Sequence, residues 1–288
     1  MFFTGGMRLA FLAPAPYNGK KTKWGGPVNS VNKTLYIPLY GKAYVSARGL
    51  FLEDKSAEEI WKAEGFPLKG KSKSKWLAYY MGIRSVVFDD WLARQMQAHP
   101  HGVVLHLGCG MDSRVLRLGN RGHKWYDVDF PEVIRERERY FSGGETYEML
   151  PGDLRETAWL DAIPERDCAM VVMEGVSMYL KPAECRALMV ALSSHFGKLY
   201  LLMDCYTEMA AKLSRYKNPI NDVGVTRVYG MDDPRAMETE GITFRVEHEM
   251  TPESCLQQLQ GMEGRIFRKL YAGNFSKKLY RLFEYEKE

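Results

Sequence analysis

Gly108, Cys109, Gly110 and Asp129 stand in a pattern suited to holding a small ligand. Two glycines around one residue let the backbone come close to a ligand. An acid nineteen positions after Gly110, at the end of the next expected strand, can accept hydrogen bonds from ribose hydroxyls. Asp112, just past the turn, suits the N-cap of a following helix. An ordinary turn and an ordinary helix-start acid would also give these residues, so the ligand has to be argued further. A dinucleotide turn wants a third glycine where this chain has Ser113, and no Gly-x-x-x-x-Gly-Lys-Ser/Thr stretch occurs. Both facts favour an adenosine ligand without phosphates, S-adenosylmethionine, over a nicotinamide cofactor or a nucleoside triphosphate.

The elements that must position this turn change character near residue 100. Beyond it, apolar runs at 103–107, 124–129, 168–173 and 199–203 read as strands, and 242–250 and 278–286 as the last two. Pro131 and Pro182 each open a helix, where a missing N–H costs nothing. Further helices are expected near 252–269. Strands alternating with helices imply a mostly parallel sheet covered on both faces, with ligands beyond the strands' carboxyl ends. Upstream, 31–47 and 57–63 read as helices. Trp76, Tyr80, Ile83, Val87 and Trp91 share one face of a longer helix. Tyr36, Tyr40 and Tyr44 recur at helical spacing and read as packing. The basic stretch 68–75 has little apolar surface to bury and reads as mobile, with ordering over a bound donor as its possible use. The chain reads as one domain, 1–288: an N-terminal arm and helical cap over 1–98, then a Rossmann-like core over 99–288 with a cap insertion at 206–240.

Composition narrows the class. The chain is 45% hydrophobic and 26% charged, ordinary for a globular protein, and its net charge of +4 is too small to argue for nucleic acid. No apolar run is long enough to span a membrane. The apolar stretch at 7–13 is short and is broken by Pro14 and Pro16, so it reads as an arm and not as a signal. Five cysteines without a Cys-x-x-Cys pair point to a reducing, cytoplasmic setting. The six histidines show no metal spacing, and no metal is expected; His99 and His101 read as a solvated pair.

Several motifs occur in order. They include Asn32-Lys33-Thr34-Leu35, Ile83-Arg84-Ser85, Phe88-Asp89-Asp90-Trp91-Leu92 and Leu107-Gly108-Cys109-Gly110-Met111-Asp112-Ser113-Arg114. Tyr126-Asp127-Val128-Asp129-Phe130-Pro131, Gly152-Asp153-Leu154-Arg155 and Glu174-Gly175-Val176-Ser177-Met178-Tyr179-Leu180 follow. Over residues 29–205 the set resembles the leucine carboxyl methyltransferase superfamily, and within it the tetracenomycin-type polyketide O-methyltransferases. The resemblance implies a class I methyltransferase: a seven-stranded sheet with helices on both faces and an N-terminal helical cap. It also implies that Arg84, and more loosely Lys33, meets the donor's carboxylate. Gly108, Cys109 and Gly110 would line the donor's amino-acid part and Asp129 its ribose. Asp153 and Leu154 would meet the adenine, and Glu174 would lie by the methionine portion. Arg114 and Arg155 read instead as makers of structural ion pairs.

The implied activity is O-methylation of a carboxylate or hydroxyl on a small natural product. A carboxylate is already ionised at neutral pH, which fits the lack of any Ser/His/Asp set, and no catalytic residue is singled out. Tyr179 and Tyr206 are candidates for the acceptor's wall. Three other functions share these residues: a protein C-terminal carboxyl methyltransferase, a nicotinamide-dependent oxidoreductase and a non-catalytic S-adenosylmethionine-binding protein. The sequence leaves the oligomeric state open.

Overall fold

The computed structural model describes residues 32–64, 68, 70–217 and 227–288. Lys33 lies in an opening 3-10 turn, Asn32–Leu35, with its side chain outside the described part; the arm at 1–31 lies wholly outside it. Three helices come first: α1 (Tyr36–Ser46), α2 (Lys55–Glu64) and α3 (Lys75–Ala98). Then β1 (Val103–Leu107), α4 (Arg114–Leu118), β2 (Trp125–Asp129), α5 (Pro131–Arg137), β3 (Tyr147–Pro151) and β4 (Arg166–Met173) alternate. The chain continues through α6 (Pro182–His195), β5 (Phe196–Tyr206), α7 (Glu208–Lys217) and β6 (Thr243–Glu247). It ends with α8 (Glu253–Leu256), α9 (Gly261–Tyr271), α10 (Asn274–Lys277) and β7 (Tyr280–Lys287).

The seven strands form one sheet in the order β3-β2-β1-β4-β5-β7-β6. The pairs from β3 through β5 are parallel, whereas β7 runs antiparallel to both β5 and β6. Strand order reverses between β1 and β4, which opens a crevice at their carboxyl ends. Successive strand residues face opposite sides. Val104 of β1 with Met170 and Val172 of β4 therefore meets the α1–α3 layer. Leu105 and Leu107 with Val171 and Met173 meet Cys185, Leu188, Met189 and Leu192 of α6 on the other side. Four of the five residues expected on one face of α3 are buried: Ile83 and Trp91 almost completely, Tyr80 and Val87 to a lesser degree, while Trp76 at its start is half-buried.

Sequence reading missed β3, whose Tyr-Glu-Met-Leu-Pro is short and carries no apolar run; pairing with β2 makes it a strand. It also cut β5 short, since Phe196 and Tyr206 extend the ladder beyond the apolar stretch. The last two strands are shifted, to Thr243–Glu247 and Tyr280–Lys287. The basic stretch 68–75 is not featureless. Leu68 and Ser72 are buried, Gly70–Lys73 is a 3-10 turn, and the Ser74 hydroxyl accepts from the Leu77 N–H to cap α3. Asp112 does not cap α4: Ser113 holds the N-cap position, and Asp112 is drawn into a charge network. His99 stacks on the Tyr200 ring at 4.0 Å instead of standing in solvent.

Candidate active site

Beyond the carboxyl ends of the strands lies a cavity of about 880 Å³, within the range of small-ligand sites. One turn in its lining is Gly108-Cys109-Gly110. Gly108 (φ +66°) and Gly110 (φ +51°) adopt the left-handed backbone that glycine tolerates best. A Cβ on Gly108 would stand 2.3 Å from Cγ2 of Val176, so the loops after β1 and β4 pack together only because the side chain is missing. The N–H groups of Gly108 and Cys109 donate to the Val128 carbonyl, tying the turn to the end of β2. Cys109 lines the cavity, and burial pushes its thiol up. It behaves there as a small apolar residue.

Asp129 closes this side. Its Oδ2 accepts from the Gly110 N–H and its Oδ1 from the Phe130 N–H, both at 2.7 Å. Burial raises its pKa to about 6 against the opposing pull of these bonds. Each carboxylate oxygen keeps a second lone pair, so both backbone bonds and ribose hydroxyls can be served. The cradle thus fits an adenosine. Beyond it, Gly152, Asp153 and Leu154 line the wall after β3. The Asp153 carboxylate is gripped by the backbone N–H and the guanidinium of Arg155, which makes Arg155 a structural partner as expected and lowers the Asp153 pKa.

A charged wall stands opposite. Arg84, buried on α3, donates to Glu174 Oε1 (3.0 Å), Asp204 Oδ2 (3.1 Å) and the Tyr280 hydroxyl (2.7 Å). Its fork therefore serves protein carboxylates, and Arg84 also lines the cavity where the resemblance puts the donor's carboxylate. Glu174 also accepts from Ser85 Oγ at 3.0 Å and from Arg114. Burial alone would raise the pKa of Glu174, but Arg114, Arg84 and Lys42 outweigh it and hold the carboxyl at about 2. Arg114 is fully buried and donates further to Asp89 (2.6 Å), which fits its structural reading. Its Nη1 faces His106 Nε2 at 3.2 Å, and burial keeps that imidazole neutral. Lys42 of α1, also buried, reaches the cavity and pairs with Asp112 at 3.1 Å.

The remaining wall is aromatic. Tyr179, Tyr206, Tyr271 and Tyr280 line it together with Leu213 and Leu270. Tyr206 and Tyr280 meet edge to face at 5.3 Å. The structure therefore brings Arg84, Gly108, Cys109, Gly110, Asp129, Asp153, Leu154, Glu174, Tyr179 and Tyr206 to one cavity. Only the Lys33 side chain falls outside the described residues. Tyr36, Tyr40 and Tyr44 face away from the cavity, where Tyr40 packs on Tyr44 and Trp61. Sequence reading missed Lys42, Asp204 and Tyr280. Asp204 had a usable signal, an acid directly after a buried apolar run, the same one that drew attention to Glu174.

A crevice at the reversal of strand order, a glycine turn and a buried acid at the end of β2 define a Rossmann-like, S-adenosylmethionine-dependent methyltransferase. The leucine carboxyl methyltransferase family model matches residues 32–193, and the chain belongs to that family. It is 27% identical to the tetracenomycin polyketide synthesis O-methyltransferase TcmP of Streptomyces glaucescens over 240 residues, covering 82% of this chain and 89% of the relative. It is 28% identical to the S-adenosyl-L-methionine-dependent methyltransferase dpfgK of Gibberella zeae, over 61% of this chain and 64% of the relative. Among solved structures, a DUF574 family protein from Streptomyces avermitilis superposes with a TM-score of 0.55 at 9% identity, covering 88% of this chain and 97% of that one; this likeness concerns the fold.

Proposed function

We propose that the enzyme methylates a carboxylate oxygen of a small, polyketide-like natural product. One observation carries the choice of a carboxylate over a hydroxyl. Among the described residues, the carboxylates and the imidazole lining the cavity are already engaged. Glu174 and Asp112 sit in ion pairs, Asp153 is held by Arg155, Asp129 by two backbone N–H groups, and His106 faces Arg114. A phenol or alcohol acceptor would need a base to take its proton, whereas a carboxylate arrives ionised.

When bound, S-adenosylmethionine supplies a methyl group already activated on a sulfonium. The chain's own residues bind, orient and exclude water. Gly108 and Gly110 allow close backbone approach, Asp129 accepts from the ribose, and Asp153 and Leu154 face the adenine. Glu174 and Lys42, with Arg84 behind them, set the field beside the donor's amino-acid end. The tyrosine wall holds the acceptor so that its oxygen meets the methyl carbon opposite sulfur, a gain of proximity in place of acid–base chemistry. The helical layer before β1 and the described parts of the segment 206–240, which are 206–217 and 227–240, act as the cap of a single domain. A cytoplasmic setting suits five cysteines that are all free. No described helix is long and apolar enough to cross a membrane.

The test is to incubate the enzyme with methyl-labelled S-adenosylmethionine and matched panels of small carboxylic acids and phenols. Label in base-labile methyl esters is the expected product. Label found only in base-stable ethers would refute the carboxylate assignment.

A further inference from the structure

Tyr80 carries an observation that the donor site does not use. Its side chain projects from α3 into the cavity, it is only 8% exposed, and its hydroxyl has no hydrogen-bond partner. The Ser276 side chain lies near enough for a hydrogen-bonding influence on the phenol, yet it stands outside full hydrogen-bond geometry. Burying a hydroxyl without a partner costs free energy, so a native cavity rarely keeps one unless a ligand completes it. The surroundings say what kind of ligand. Tyr80 meets the Tyr280 ring at 5.8 Å and 87°, and the Tyr271 ring at 6.4 Å and 48°. Tyr280 in turn meets Tyr206 at 5.3 Å. These rings form one side of a sleeve, and Leu213 and Leu270 continue it toward solvent. Such a wall offers aromatic faces and edges with few polar groups, which suits a flat, unsaturated ligand.

The hydroxyl's own chemistry points the same way. Burial pushes the phenol pKa up, while the opposite charges of Arg84 and Asp204 nearby act against each other, so the group keeps its proton and works as a donor. A hydrogen bond from such a donor is strongest to an ionised oxygen.

We infer that the Tyr80 hydroxyl is the recognition donor of the acceptor subsite, holding one carboxylate oxygen of a flat, unsaturated acid whose rings lie against Tyr271, Tyr280 and Tyr206. This rests on the methyltransferase reading above and adds the residue and the shape class that select the acceptor. Tyr80 touches the acceptor and not the donor, so its loss acts on acceptor binding alone.

The test uses the intact enzyme saturated with S-adenosylhomocysteine, with 2-naphthoic acid, its fully saturated decahydro analogue and uncharged 2-naphthamide as calorimetric probes. Wild type binds 2-naphthoate more tightly than the saturated acid by about threefold or more, the share expected of ring–ring contact. Tyr80→Phe weakens 2-naphthoate by about tenfold or more, the cost of a lost hydrogen bond to a charged group, and changes the amide less. S-adenosylhomocysteine binds both proteins equally, which also shows that the variant is folded. Equal affinity of both proteins for 2-naphthoate overturns the role of Tyr80, and equal affinity for the flat and saturated acids overturns the shape class. Wild type that binds S-adenosylhomocysteine but no aromatic acid sinks this inference while leaving the donor site standing. Failure to bind S-adenosylhomocysteine sinks both.

Discussion

The charged wall of the cavity and its tyrosine wall meet at the Tyr280 hydroxyl, which accepts from Arg84 and donates to Asp204, and are otherwise built on opposite terms. On the charged side, Arg84, Arg114, Glu174, Asp112 and Lys42 are all buried, and each has an opposite charge in reach. On the other side, Tyr80 is buried with an unanswered hydroxyl, while Leu213 and Leu270 are more than half exposed, at 55% and 54%. A buried ion network tolerates little change, because removing one member strands another charge away from water. A wall of rings and aliphatic chains can be altered at lower cost. The donor's side is thus fixed by mutual constraint, and the acceptor's side is where members of a family can diverge in substrate.

Four substitutions sharpen or break that contrast. Glu174→Ala removes a buried negative charge shared by Arg84 and Arg114, leaving them Asp204, Asp89 and Asp112, and is expected to cost about 3–5 kcal/mol of stability in denaturant unfolding; a loss under about 1 kcal/mol would mean that the wall is not a coupled network. Gly108→Ala forces a Cβ into the left-handed region and onto Val176. It should cost about 2–4 kcal/mol, with donor binding lost alongside, and an unperturbed melting temperature would contradict the close loop packing.

Asp129→Ala should leave the fold largely intact and weaken S-adenosylmethionine by about 1–3 kcal/mol. Its pH behaviour gives a second check. Raised to about 6 by burial, Asp129 holds its proton more firmly folded than unfolded. Its contribution to stability is therefore present below the unfolded value of about 3.9 and is lost as pH rises through about 6. Donor affinity runs the other way, since ribose hydroxyls favour the ionised carboxylate. Titrations should show affinity climbing up to about pH 6 and level above it, and a slope that survives in Asp129→Ala would assign the effect elsewhere. Arg155→Ala is the smallest case. Its half-exposed pair with Asp153 should be worth at most about 1 kcal/mol in unfolding, and a larger loss would move this pair into the rigid class.

The donor's side of the cavity was more legible than the tyrosine wall, for a local reason. Gly108, Gly110 and Asp129 lie at strand ends that the apolar runs announce, and Glu174 follows such a run. The same rule would have found Asp204. Lys42 gave no sign, because a lysine on a helix reads as solvated until tertiary packing encloses it. The tyrosine wall was harder still. Tyr206 and Tyr179 border strands, but Tyr271 and Tyr280 come from the far end of the chain and reach the cavity through the reversal of β7 beside β5. Strand β3 was missed because its pairing with β2, and not its own composition, makes it a strand.

A crystal structure with S-adenosylhomocysteine bound is the decisive experiment. The account predicts the ribose on Asp129, the amino-acid part against the Gly108–Gly110 turn and the sulfur turned toward the tyrosine wall. A ligand bound elsewhere, or a cavity filled by side chains with the Asp129 carboxylate turned out to solvent, would contradict it.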